Sequence, residues 1–154
     1  MGAIDADAHV IETVQTWSYL DENERRFTPQ LMSQTSGAAL LSNEGIAVRD
    51  FWVIEGRAHG KDRNVGTDTP QESREMLSVE ARLAHMDKLG IETQVLYPTL
   101  FLRPIVQEAE REQALCKSYN RWMADLWRQG KGRLRWVAKP PLRLLEKTGA
   151  AVKD

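Results

Sequence analysis

Gly90 divides two hydrophobic patterns, and that change of period constrains the fold more than any other feature of the chain. Before it, Val79, Leu83, Met86 and Leu89 recur three and four residues apart, which puts them on one face of a helix. After it, Glu92-Thr93-Gln94-Val95-Leu96-Tyr97-Pro98 is short, β-prone and closed by proline, as a strand is. Gly90 is placed as the left-handed residue that ends the helix. The same succession recurs downstream. Residues 108–129 predict a long helix with Leu115, Tyr119, Trp122 and Leu126 on one stripe, and Gly130 and Gly132 stop it. Residues 134–138 give another short strand before Pro140-Pro141, and residues 142–153 read as a final helix weakened by Gly149. With an opening strand at Ala3-Ile4-Asp5-Ala6-Asp7-Ala8-His9-Val10, the chain alternates strand and helix, the order that builds parallel α/β structure.

The alternation is interrupted between residues 13 and 72. Thr13 is placed to cap a short helix over residues 13–19. Residues 21–44 are polar and read as irregular. Residues 46–49 and 51–54 are rich in β-formers and close at Glu55-Gly56, which predicts a small hairpin or excursion apart from the main sheet. A polar loop is expected over residues 57–69. Thr69-Pro70-Gln71-Glu72 then supplies a cap, an N1 proline and a capping box. The helix it starts runs to Leu89, with or without a break near Ser78.

At 154 residues the chain reads as one domain, and 42% apolar with 28% charged residues makes it globular. The net charge of −1 comes from 21 basic and 22 acidic residues that are interspersed, which argues against a nucleic-acid-binding face. Cys116 is the only cysteine and has no internal disulfide partner, in keeping with a reducing compartment. No leader-like apolar run opens the sequence, and no stretch reaches the roughly 18 apolar residues of a membrane span. These features predict a cytoplasmic protein with no membrane or nucleic-acid partner.

The chemistry concentrates at the start. On a regular strand Asp5, Asp7 and His9 share one face, with Ile4, Ala6 and Ala8 on the other. Carboxylate and imidazole are donors for Zn²⁺ or Mn²⁺, although an exposed strand with a polar outer face has the same pattern. Working residues of parallel α/β folds sit at the carboxyl ends of strands, which favours Asp7 and His9 as ligands. Asp5 lies deeper and is expected to hydrogen-bond backbone or a neighbouring loop. His85 lies inside a helix, where a structural or solvent-facing role is expected, and His59 lies in the polar loop, a poor place for a ligand. A catalytic zinc site usually needs three protein ligands, and the sequence offers two. Cys116 beside an apolar stripe reads as a buried structural thiol. Gly56, Gly60 and Gly66 do not make a phosphate loop. Trp122, Trp127 and Trp136 read as core or interface aromatics. Arg103, in the loop after the second main strand, is placed to meet an anionic substrate, with a plain surface arginine as the other reading. The excursion of residues 21–68, with Phe51, Trp52 and Arg57, is expected to form part of a lid or an intersubunit contact, which makes Trp52 a candidate substrate-binding residue at the rim.

The segment Asp5-Ala6-Asp7-Ala8-His9-Val10-Ile11-Glu12 resembles the first-strand motif of the amidohydrolase-related proteins called amidohydrolase family 2. That family includes carboxymuconate-semialdehyde decarboxylase-like and resorcylate decarboxylase-like enzymes. Residues 82–98, Tyr119-Asn120-Arg121-Trp122-Met123-Ala124, Gly132-Arg133-Leu134 and Pro140-Pro141-Leu142 are similar to its next segments, in order. The resemblance implies a metal-dependent (β/α)₈ TIM barrel, with residues 1–154 as its N-terminal half. That half would be about three βα units, with an excursion over residues 21–68 after the first strand. It implies zinc, or alternatively manganese, on Asp7 and His9. The implied reaction is hydrolysis or non-oxidative decarboxylation of a small carboxylated or cyclic substrate. The family's later-strand histidines and aspartate have no counterpart here. The alternative is a catalytically inactive half-barrel that self-associates, and an open parallel edge makes a homo-oligomer the expectation.

Overall fold

Two three-stranded sheets share the chain, in a computed structural model that describes residues 2–35, 48–61 and 68–144. The first part runs β1 (Ala3–Val10), α1 (Val14–Trp17), a 3-10 helix (Glu22–Phe27), β2 (Gln30–Thr35), β3 (Val48–Ile54) and β4 (Arg57–Gly60). The second runs α2 (Gln71–Arg74), α3 (Val79–Lys88), β5 (Ile91–Pro98), a 3-10 turn (Leu100–Leu102), α4 (Ala109–Gln129) and β6 (Leu134–Trp136). The main sheet has the order β1-β5-β6 with both pairings parallel. Successive strand–helix units are therefore neighbours, the outcome the alternation predicted. Strands β2, β3 and β4 form a separate antiparallel meander.

Local sequence explains most boundaries. Ser78 caps α3, its hydroxyl accepting from Ala81 N at 3.1 Å, so the helix expected from Thr69 to Leu89 divides in two. Pro70, not Thr69, occupies the cap of α2, and the anticipated capping box does not form, because proline offers no side-chain acceptor. Gly90 follows α3 with φ +69°, as its C′ position requires. Val79, Leu83 and Met86 are buried, but Leu89, the residue that caps the helix, is 58% exposed. On α4 the whole stripe of Leu115, Tyr119, Trp122 and Leu126 is buried, together with Cys116. Trp127, by contrast, faces outward, one residue beyond that stripe.

The excursion is more regular than its polarity suggested. Residues 22–27 form a 3-10 helix and residues 30–35 a strand, where irregular chain was expected. Glu55 and Gly56, with φ of +51° and +72°, turn β3 into β4, so residues 57–60 pair as a strand where a loop was expected. The expected loop residues 36–44 and 62–67, and the final helix beyond residue 144, lie outside the described residues.

The core lies between the meander and the helices on the main sheet. Trp17 stands edge-on to Trp52 at 5.7 Å and to Phe101 at 6.0 Å, and Phe101 in turn packs against Tyr119 at 6.0 Å. Trp52 is 0% exposed, which corrects its assignment to the substrate rim. The alternation of β3 turns Trp52 and Ile54 inward and leaves Phe51 and Val53 at the outer face. No helix among the described residues is long and apolar enough to cross a membrane. We expect Trp52→Ala to cost about 3–5 kcal/mol in chemical unfolding; a rim residue would leave stability nearly unchanged.

Candidate metal and substrate site

The first strand does not keep one parity. Asp5 pairs with Gln94, whereas Ala8, His9 and Val10 pair with Leu96, Tyr97 and Pro98, so the register shifts between Asp5 and Ala8. Residues opposite one another in a parallel pair share a face, so Asp5 falls on the side of Ala8 and Val10. Its Oδ2 accepts from Gln94 Nε2 at 2.9 Å, and its Oδ1 accepts from Asp7 N at 3.1 Å. The single polar face expected for Asp5, Asp7 and His9 is therefore corrected for Asp5, which hydrogen-bonds backbone and a neighbouring strand. Ile4, opposite Thr93, moves the other way and stands on the His9 side, 70% exposed.

Asp7 and His9 stay together. Asp7 Oδ1 and His9 Nε2 are 3.7 Å apart, with the Asp7 side chain 93% exposed and that of His9 14% exposed. Bonds of about 2.1 Å to a shared ion set neighbouring ligand atoms roughly 3–3.5 Å apart, so a small adjustment suits this pair to one ion. The His9 ring lies 6.0 Å from that of Tyr97, and its Nδ1 is buried with no hydrogen-bond partner among the described residues. No group of three histidine, cysteine, aspartate or glutamate side chains among the described residues converges as a metal cage. The pair fits an ion as part of a site, and no third ligand accompanies it there among the described residues.

Beyond the strand ends, two carboxylates anchor the chain that leaves β5. Glu12, in the connection after β1, is fully buried. Its Oε2 accepts from Leu100 N at 3.0 Å, while Oε1 has no hydrogen-bond partner among the described residues. Burial pushes its carboxyl up to about 7, against the pull of amides including those of Leu100, Thr99 and Phe101. Glu55, on the meander turn, accepts from Gln107 N at 2.8 Å and Glu108 N at 2.9 Å at the start of α4. Burial raises its carboxyl, but those amides with Arg111 and Arg57 outweigh it, and the net shift is downward. A carboxylate at a helix N-terminus is favourably placed.

The anchored loop and β4 enclose a cleft of about 470 Å³ lined by Arg57, His59, Thr99, Leu100 and Arg103, among others. Arg103, in the segment after β5, is exposed on its wall. His59 is on a strand, not in a loop, and it also lines the cleft. His85 is half-buried on α3 and does not line the cleft. Burial raises the Cys116 thiol to about 12, the state of an inert structural cysteine. Nothing in the sequence pattern marks Glu12 as a site residue. Its apolar neighbours Val10 and Ile11 promise only burial.

No family model matches the sequence, and no curated protein matches it. Among solved structures, an amidohydrolase from Mycobacterium avium subsp. paratuberculosis K-10 superposes with a TM-score of 0.60 at 18% sequence identity. The match covers 99% of this chain and 46% of that chain. What the two share is the fold. The chain thus has a mixed α/β fold with a parallel sheet that it shares with part of that structure, and it spans about half the length of that chain. Asp7 and His9 lie toward the carboxyl end of the first strand of this fold, beside Tyr97 toward the end of the second.

The buried Glu12 sets a pH dependence. Its folded value of about 7 exceeds its ordinary 4.5, so folding takes up a proton there. The stability it contributes is complete below about 4.5 and lost as pH rises through 7, on the order of 3 kcal/mol. We expect the melting temperature to fall between pH 5 and pH 8, and Glu12→Gln to remove most of that fall. An unchanged slope in the variant would show that another group controls it.

Proposed function

We propose that this chain supplies the first βα units of a (β/α)₈ barrel of amidohydrolase type. Its reaction is metal-dependent hydrolysis or non-oxidative decarboxylation of a small carboxylated or cyclic substrate. The observation that carries this reading is the 3.7 Å approach of Asp7 Oδ1 to His9 Nε2 toward the carboxyl end of a parallel sheet. Asp7 and His9 would hold zinc, or alternatively manganese, with the remaining coordination supplied from outside the described residues. Such an ion supplies a Lewis acid that activates water or orients a substrate carboxylate.

The chain's own residues then have separate tasks. The exposed Asp7 carboxylate brings negative charge to the ion and stays open to solvent, while the largely buried His9 ring is braced against Tyr97. Arg103, on the wall of the cleft, binds the anionic group of the substrate, and Arg57 adds positive charge on the opposite wall. Glu12 fixes the turn after β5 from which the Arg103 segment departs. The apolar backing of Leu100 and Ile105 suits a ring or short hydrocarbon between these charges.

Metal titration of the full chain tests this reading. We expect Zn²⁺ or Mn²⁺ to bind at one equivalent. Asp7→Ala and His9→Ala should each weaken binding by at least tenfold, and together abolish it. Equal metal content in wild type and the double variant would remove the basis of the proposal.

A further inference from the structure

Arg82 is a charged side chain that the proposed chemistry does not use, yet it is only 3% exposed. It projects from α3 under the main sheet. Its Nε donates to Gln94 Oε1 at 2.7 Å, and its Nη1 is shared between the carbonyls of His9 and Ser73, each at 3.2 Å. Gln94 passes the chain of bonds on to Asp5 Oδ2 at 2.9 Å, and Asp5 Oδ1 receives Asp7 N at 3.1 Å.

The two ends of this network grip the main chain on either side of Ala8. Asp5 takes the amide of Asp7, and Arg82 takes the carbonyl of His9. The side chains of Asp7 and His9 point to the opposite face of the sheet, where they approach one another. The grip also spans the register shift of β1, the place where backbone pairing to β5 is interrupted between Asp5 and Ala8. A bulged stretch lacks the ladder bonds that fix its neighbours, so other groups must set its conformation.

We propose that Arg82, Gln94 and Asp5 form a positioning network that sets the spacing of Asp7 and His9 for one metal ion. This rests on the metal reading of that pair. Arg82 touches neither ion nor substrate and acts through the His9 backbone. A planar guanidinium can serve Gln94 and two carbonyls at once, which the single ammonium of lysine does not reproduce. Groups that orient metal ligands typically change metal affinity by about 10–100-fold when removed.

The test compares wild type, Arg82→Lys and Asp5→Ala as full chains, with His9→Ala as the unbound control. Zn²⁺ affinity is measured by competition with a chromophoric chelator, Co²⁺ coordination by its visible spectrum, and folding by cooperative thermal unfolding. Arg82→Lys keeps the buried charge, and Asp5→Ala lies at a half-buried position that keeps the variant folded if the first fails. We expect each folded variant to bind Zn²⁺ about 10–100-fold more weakly and to shift the Co²⁺ spectrum. A folded variant with wild-type affinity and spectrum overturns the network while leaving the metal reading intact. Wild type that binds neither Zn²⁺ nor Co²⁺ overturns both.

Discussion

The shift of register between Asp5 and Ala8 governs what the carboxyl end of the main sheet presents. A regular strand would point Asp5, Asp7 and His9 to one side. The bulge instead gives Asp5 to the helix-facing side, where it meets Gln94, and leaves Asp7 and His9 together near Tyr97. One extra residue in the strand thereby separates a carboxylate that organises backbone from a carboxylate and imidazole that are available for chemistry. The buried guanidinium of Arg82 is the counterpart of that arrangement. Burial lowers its pKa to about 10, with Asp5 opposing the shift, so it remains a cation at neutral pH.

The surroundings follow from two further carboxylates. Glu12 holds the turn at Leu100, and Glu55 holds the amides of Gln107 and Glu108, so the segment between them is tied at both ends. Glu55 belongs to the meander, so the same bonds fix β4 across from that segment and give the cleft its second wall. A largely buried Lys61–Glu75 contact at 2.9 Å joins the end of β4 to the chain after α2. Fold and site are thus coupled through a few buried polar contacts laid over an aromatic core of Trp17, Trp52, Phe101 and Tyr119.

Much of this was legible in the sequence, and the reasons differ by element. The helix stripe of α4 and the hand-over at Gly90 rest on periodicity and on a glycine at positive φ, both local properties. The position of Asp7 and His9 toward a strand's carboxyl end also followed from local order. The side on which Asp5 falls did not, because a register shift is decided by pairing with β5, a strand nearly ninety residues away. Trp52 was misplaced for a similar reason: the meander's inward face is set by the core it covers. Strand β4 was hidden by its polar composition, since Arg57 and His59 face a cleft. Glu12 escaped notice because its role depends on three amides contributed by the 99–101 turn.

In the proposed function, Asp7 and His9 form one part of a metal site at the end of the parallel sheet. Anomalous diffraction from crystals soaked in Zn²⁺ or Mn²⁺, recorded at the absorption edge of the metal, tests it most directly. One strong peak is expected about 2.1 Å from Asp7 Oδ1 and His9 Nε2. A metal peak elsewhere on the chain, with none beside these two atoms, would contradict it.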